Sequence, residues 1–415
     1  MTPGAPVECT SSVGPRLAVG SSWNAACLLL GLVLAMSGCT AFSSRRAPPQ
    51  PGRTTFGSPL VVLPAQRVGN FLLLETKWDR FGPYRFLVDT GSSVTLVTPA
   101  LARRYPSSPT AAASSLRVRV TGADGRVSEL PQASLRRIEL GDVRFDDVPV
   151  LLYDFDSLSA HLGVRIDGVL GFPLFRDVLL TLDYPGSRIL LQSTRNVPLL
   201  PGTTIALDRA RKTPLIPLQL GDRTLVALID SGSDMPFSLN PVGLDPVFAY
   251  GPRKGATIGT LSGDRVQEIG RLAETLSIGN YTFVRPIVDL SDELSAIGAG
   301  VLRHFSVTFD QKMDRVTFYR DSRDPIEMPP KRSAGVSFSK TPAYWRVAGV
   351  VPGSVAENVG IQLGDLVTRI NGEPVARWDL TRYDQLVASA AEIGFTMLNG
   401  TVETEKRVAV FELVP

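Results

Sequence analysis

Histidine and cysteine are nearly missing from this chain, whose 415 residues include 2 histidines and 3 cysteines. Cys9, Cys27 and Cys39 all fall early, so nothing after Cys39 can close an intrachain disulfide, and no Cys or His pair has the spacing of a zinc site. His161 and His304 stand alone, without an HExxH pattern and without a Gly-x-Ser-x-Gly elbow nearby. Thiol nucleophiles, Ser-His-Asp triads and metal-dependent hydrolysis are therefore poorly provided for, and neither a metal nor another cofactor is expected. An excess of one charge sign is missing too. The 43 basic side chains face 40 acidic ones, and a net charge of +3 is too little to hold a polyanion, so nucleic acid is set aside as a partner. Hydrophobic residues at 44% and charged residues at 20% suit packed domains, and the length allows roughly two to four of them.

Long apolar runs are scarce, with one exception near the start. Residues 25–36 are apolar, too short a run to span a bilayer as a helix, with Arg16 the one basic residue ahead of them. The run ends in Met36-Ser37-Gly38-Cys39. This order is that of an export signal. Small residues directly before a cysteine resemble the bacterial lipobox, which implies that Cys39 is acylated and becomes the new first residue. An ordinary signal peptide with an incidental cysteine is the alternative. Residues 1–38 are thus expected to be a lipoprotein signal peptide. Residues 39–59, rich in Ser, Arg, Pro and Gly, are expected to be a flexible tether. The expected location is the cell envelope, lipid-anchored to a bacterial membrane on its periplasmic face.

What the chain does have is a repeat. Short aliphatic runs alternate with Gly, Asp and Pro turns, as in strands. Arg85-Phe86-Leu87-Val88 leads into Asp89-Thr90-Gly91-Ser92-Ser93, and Val226-Ala227-Leu228-Ile229 leads into Asp230-Ser231-Gly232-Ser233. Val169-Leu170-Gly171 precedes a run ending in Asp183, and Ala296-Ile297-Gly298 precedes one ending in Asp310. The offsets are 230 − 89 = 141 and 310 − 183 = 127, and loops absorb such a difference easily. Matched features in one order make an internal duplication the strongest structural expectation.

An aspartate at the end of an apolar strand, followed by a hydroxyl residue and a glycine, is suited to be a rigid, partly desolvated carboxylate. Gly91 and Gly232 are expected to supply backbone angles closed to other residues, and the Ser92 and Ser233 hydroxyls to donate to the neighbouring carboxylates. One such loop also occurs in structural turns. Two, related by a two-fold axis, would face each other and share a proton. The charged member can then take a proton from water while the neutral one donates to a scissile carbonyl.

These residues resemble clan AA aspartic peptidases, with retropepsin-like repeats fused into one bilobal, pepsin-like chain over residues 71–319. The resemblance implies that Asp89 and Asp230 are catalytic, that Thr90 and Ser231 brace the opposite lobe, and that the two aliphatic-aliphatic-Gly segments pack behind the motifs. It also implies flap hairpins at Val120-Thr121-Gly122-Ala123-Asp124-Gly125 and Gly259-Thr260-Leu261-Ser262-Gly263. Neither carries the tyrosine familiar from pepsin flaps.

A third module follows. Val351-Pro352-Gly353-Ser354, Gly364-Asp365-Leu366-Val367 and Ile370-Asn371-Gly372 resemble a PDZ domain of the kind attached to exported bacterial proteases. Residues 379–391 read as a helix with Leu380, Tyr383, Leu386 and Val387 along one face. The carboxylate-cradling loop should fall near 341–346, whose residues do not match its pattern. The expected architecture is mainly β: retropepsin-like β-barrel lobes at 60–198 and 199–328, then a small α+β PDZ-like domain at 333–415.

The function these expectations imply is an aspartic endopeptidase acting on protein or peptide substrates, monomeric in its catalytic unit. Two other readings stay open: a catalytically silent pseudo-peptidase serving as a peptide-binding or scaffold lipoprotein, and a lobe 1 dimer in which lobe 2 is structural. For the anchor, the expected outcome is that Cys39→Ser releases the protein from membranes or blocks its processing, because the acyl chains supply the membrane affinity. Unchanged membrane fractionation of the Ser variant would contradict it.

Overall fold

The computed structural model describes residues 52–415 apart from 109–115, 123–124, 196, 198, 209–211 and 261–262. The expected export signal, Cys39, most of the expected tether and the tips of both expected flaps therefore lie outside the described residues. The described residues all belong to one compact unit.

Lobe 1 begins earlier than expected. Arg53–Phe56 (β1) is not tether but a strand, antiparallel to Val143–Leu152 (β8). Leu60–Val68 (β2), Phe71–Trp78 (β3) and Phe81–Asp89 (β4) form a meander, and the chain continues through Leu96–Val97 (β5) and helix Pro99–Arg104 (α1). A hairpin of Arg117–Thr121 (β6) and Val127–Leu140 (β7) leads into β8, helix Asp156–Leu162 (α2) and Gly168–Gly171 (β9). Val178–Asp183 (β10) and Arg188–Ser193 (β11) close the lobe. The sequence dictates which strands are central. In β8, buried Val143, Phe145, Val148 and Val150 alternate with more exposed positions, as on a sheet with one covered face. In β4, Phe86, Leu87 and Val88 are buried in succession, so both faces are covered and the strand delivers Asp89 from within the core.

Lobe 2 runs through the same plan. Thr203–Ala206 (β12) is followed by Leu215–Leu220 (β13), Arg223–Asp230 (β14), Phe237–Leu239 (β15) and a hairpin of Phe248–Thr260 (β16) with Gly263–Leu272 (β17). Leu276–Ile278 (β18), Tyr281–Val284 (β19), Ile287–Leu290 (β20), Ala296–Gly298 (β21), helix Ala299–Leu302 (α3), Ser306–Asp310 (β22), Arg315–Tyr319 (β23) and Ile326–Glu327 (β24) complete it. The lobes share one sheet, because β10 pairs with β22 and places Thr181 opposite Thr308, their hydroxyls 2.9 Å apart. Those threonines are 127 residues apart, the offset of the later repeat segments, so a local two-fold axis passes between them. Above that sheet Phe172 meets Phe309 edge to face at 5.4 Å, joining the two cores.

The third module comprises Lys331–Ser333 (β25), Val336–Lys340 (β26), Trp345–Val350 (β27), helix Val355–Asn358 (α4), Leu366–Ile370 (β28), Glu373–Pro374 (β29), helix Leu380–Ser389 (α5), Glu392–Asn399 (β30), Val402–Ala409 (β31) and Phe411–Val414 (β32). Its main sheet runs β26-β27-β28-β30-β31. Phe338, Trp345, Tyr383 and Phe395 interlock as its aromatic core. The Asp379 side chain caps α5 by accepting from the Arg382 N–H. Residues 341–344 make the β26–β27 turn, closed by the Thr341 N–H on the Tyr344 carbonyl, so no carboxylate-cradling loop stands there.

The module is fastened to lobe 2. Leu413 and Val414 of β32 are buried with Met235, Ile269 and Ile287. Arg271 of β17 donates to the carbonyls of Pro415, Arg285, Met328 and Pro329. Leu413→Ala should therefore cost about 2–5 kcal/mol of stability, as a cavity in a well-packed core does. Denaturant unfolding of the full chain checks this, and a loss below about 1 kcal/mol would show the docked strand to be peripheral.

Candidate active site

Each motif sits where two parallel strands end together. Asp89 on β4 lies opposite Gly171 on β9, and Asp230 on β14 lies opposite Gly298 on β21. The loops return the same way: the Phe172 N–H donates to the Ser92 carbonyl at 2.9 Å, and the Ala299 N–H to the Ser233 carbonyl at 2.7 Å. The aliphatic-aliphatic-Gly segments do pack behind the motifs. Gly171 and Gly298 are needed there because a Cβ on either would overlap the backbone of the adjacent loop, at Val94 and at Met235.

Across the lobe boundary the two loops exchange hydrogen bonds symmetrically. The Thr90 hydroxyl donates to the Ile229 carbonyl at 2.7 Å and accepts from the Ser231 N–H at 3.0 Å. The Ser231 hydroxyl donates to the Val88 carbonyl at 2.8 Å and accepts from the Thr90 N–H at 2.9 Å. Both side chains are buried, so each hydroxyl is satisfied within the protein. Thr90 and Ser231 thus lock the strand ends that carry Asp89 and Asp230.

The carboxyl groups meet in that frame. Asp89 and Asp230 share a hydrogen bond, and each faces the glycine of the other motif. A Cβ on Gly91 would stand 2.5 Å from Asp230 Oδ1, and one on Gly232 would overlap the Asp89 carboxyl. Neither glycine has a left-handed φ. The expectation of special backbone angles is thus corrected: these positions require glycine because the opposite carboxylate approaches them. Gly91 and Ser92 direct backbone N–H groups to Asp89 Oδ1 at 2.8 and 3.1 Å, and the Gly232 N–H reaches Asp230 Oδ1 at 2.9 Å. The role expected of the Ser92 hydroxyl is also corrected, since it donates to the Val94 carbonyl at 2.8 Å and leaves the carboxylate to the backbone. Ser233 likewise supports Asp230 through its N–H.

Burial raises both carboxyls above the usual carboxylate range. Asp89 is raised furthest, by burial first, then by the Asp230 charge and the shared hydrogen bond. For Asp230 burial is opposed by the Gly232 N–H, the bond from Asp89 and the Ser233 N–H. Both carboxyls being raised by burial, with each in contact with the other, the pair holds one proton as a unit. Among the described residues no cluster of His, Cys, Asp and Glu could hold a metal ion.

Sequence reasoning missed the surroundings of Asp234, four positions after Asp230. Its carboxylate accepts from the Asn70 N–H at 3.1 Å, and its carbonyl accepts from the Asn70 side chain at 3.0 Å, tying the β2–β3 turn to the second motif loop. A Cβ on Gly69 in that turn would meet Leu380 of α5 at 3.4 Å. No pattern marks such contacts, because their partners are distant in the chain.

Residues 79–174 match the family model described as aspartyl protease, and residues 346–393 match that of the PDZ domain. The first match includes the Asp89 motif, β9 and the strands and helices between them. No curated protein matches the chain. The two matches agree with the architecture read from the sequence, an aspartyl protease-like unit followed by a PDZ module.

A raised folded-state carboxyl favours folding while it is protonated, and that contribution fades as pH rises from the ordinary carboxylate range through the raised one. Asp89→Asn removes the titration but keeps an oxygen for the Gly91 and Ser92 N–H groups. The variant should melt higher than the wild type at pH 7, with the difference vanishing toward pH 4. Thermal unfolding at the two pH values tests this, and a lower melting temperature for the Asp89→Asn variant at pH 7 would contradict it.

Proposed function

We propose that the chain is an exported aspartic endopeptidase that hydrolyses peptide bonds with water activated between Asp89 and Asp230. The observation that carries this reading is the hydrogen-bonded carboxyl pair inside a symmetric hydroxyl lock. The ionised member of the pair takes a proton from the attacking water, whose oxygen bonds to the scissile carbonyl carbon. The protonated member gives its proton to the carbonyl oxygen, so the pair still holds one proton in the tetrahedral intermediate. Collapse of that intermediate passes a proton to the leaving nitrogen and breaks the C–N bond. Thr90, Gly91, Ser92, Ser231, Gly232 and Ser233 hold the pair and its polarity. One chain supplies both aspartates, so the catalytic unit is a monomer.

Acylated Cys39 would hold the enzyme on the periplasmic face of a bacterial membrane, with the PDZ module binding protein or peptide substrates by strand addition. The scaffold reading predicts the same anchor and module without cleavage. The intact carboxyl pair favours the enzyme. Asp89→Asn and Asp230→Asn should each lower turnover of an unstructured protein by about 10³-fold or more, and the double variant should lose no more than either single one. Near-normal turnover by Asp230→Asn would favour the lobe 1 dimer. No cleavage by folded wild-type protein would favour the scaffold.

A further inference from the structure

The two motif loops are alike in backbone and unlike in what stands behind them. Val94 and Met235 hold corresponding places, at the same offset as Asp89 and Asp230. A Cβ on Gly171 would stand 2.2 Å from the Val94 carbonyl, and one on Gly298 would stand 2.0 Å from the Met235 carbonyl. Val94 packs on a cluster whose buried members all belong to lobe 1, among them Phe155, Leu162 and Ile166 of α2 and its flanks. Lobe 2 has no such helix. Its β20 and β21 are joined by residues 291–295 alone, where β8 and β9 are joined by residues 153–167, so most of the shortening between the repeats falls here.

The third module supplies what is missing. The buried cluster that contains Met235 consists otherwise of Ile269 and Ile287 of lobe 2 with Val351, Leu413 and Val414 of the module. None of those three module residues is more than 1% exposed. Leu413 lies against lobe 2, since a Cβ on Gly255 of β16 would meet its Cδ2 at 3.5 Å and Ile269 at 3.1 Å. Arg271 holds the strand end by donating to the Pro415 carbonyl. Met235 is fixed at both its ends: the Gln267 amide donates to its Sδ, and its carbonyl accepts from the Gly300 N–H at 3.2 Å. The same loop carries Asp230, and close-packed segments transmit displacement instead of absorbing it.

We propose that Met235 is a positioning residue for Asp230, and that Val351, Leu413 and Val414 complete the wall behind it, so that the module is part of the active-site support of lobe 2. The effect on turnover rests on the peptidase reading; the support itself does not. Deleting atoms behind Met235 leaves a cavity into which the loop relaxes, and a shift of about 1 Å at a reacting group costs up to about 10²-fold in rate. Substrate contacts away from the pair are untouched, so the loss falls on kcat.

Variants of the full chain test it. Leu413→Ala thins the wall, Met235→Ala removes the residue it supports, and Ile393→Ala opens a cavity among module residues alone. With all forms folded, Leu413→Ala and Met235→Ala should each lower kcat on a short unstructured peptide about tenfold, with KM within about twofold. Met235→Leu should keep at least about half of the wild-type kcat, and Ile393→Ala should match the wild type per folded molecule. The double variant Leu413→Ala/Met235→Ala should lose little more than either single one, since both act through one loop. Leu413→Val makes the same comparison with a smaller deletion should Leu413→Ala fail to fold. Amide exchange reads the support without reference to activity: in Leu413→Ala it should rise about 5-fold or more over residues 230–235 and stay unchanged over 89–94. Wild-type kcat per folded molecule in Leu413→Ala, an equal loss in Ile393→Ala, or exchange that rises in both loops or in neither would overturn the proposal. Raised exchange over 230–235 without cleavage by any form would sink the peptidase reading and leave the support standing.

Discussion

Two hydroxyls, those of Thr90 and Ser231, fix the relation between the lobes at the point where chemistry would occur. Each donates to a carbonyl just before the opposite aspartate and accepts from the opposite hydroxyl residue's N–H. Four hydrogen bonds in a buried space leave little freedom for the strand ends, and the carboxyls that follow have no room to separate. Their closeness in turn keeps one proton on the pair, since two buried anions in contact would be costly. The glycines at 91 and 232 follow from the same constraint, because each must admit the other lobe's carboxylate.

The constraint extends outward by symmetry. Thr181 and Thr308 meet on the same local axis in the shared sheet, and Phe172 and Phe309 join the cores above it. A dimer of single lobes would obtain such symmetry from two identical chains. Here duplication supplies it within one chain, and the halves are free to differ. The differences are where the third module docks: the Met235 and Ile269 surface of lobe 2 receives β32, whereas lobe 1 offers α2 and the Gly69 turn.

Much of this was legible in the chain itself. The buried run before Asp89, its counterpart before Asp230, and the Val169-Leu170-Gly171 and Ala296-Ile297-Gly298 segments are local patterns, and locality is what a sequence displays. The helix starting after Asp379 was legible for the same reason. What was not legible depended on distant partners. Arg53–Phe56 reads as tether because its short, half-exposed stretch gains meaning only against β8. The Ser92 hydroxyl turns to Val94 because backbone N–H groups already fill the sites on Asp89. Docking of the module joins residues such as Lys340 and His161, whose types carry no signal of each other.

The shared proton is the centre of this account, and carbon-13 NMR titration of the aspartate carboxyls reads it directly. One proton should stay on the Asp89 and Asp230 pair well above the ordinary carboxylate range, with both signals moving together as it leaves. Two independent transitions near pH 4, with neither carboxyl sensing the other, would contradict it.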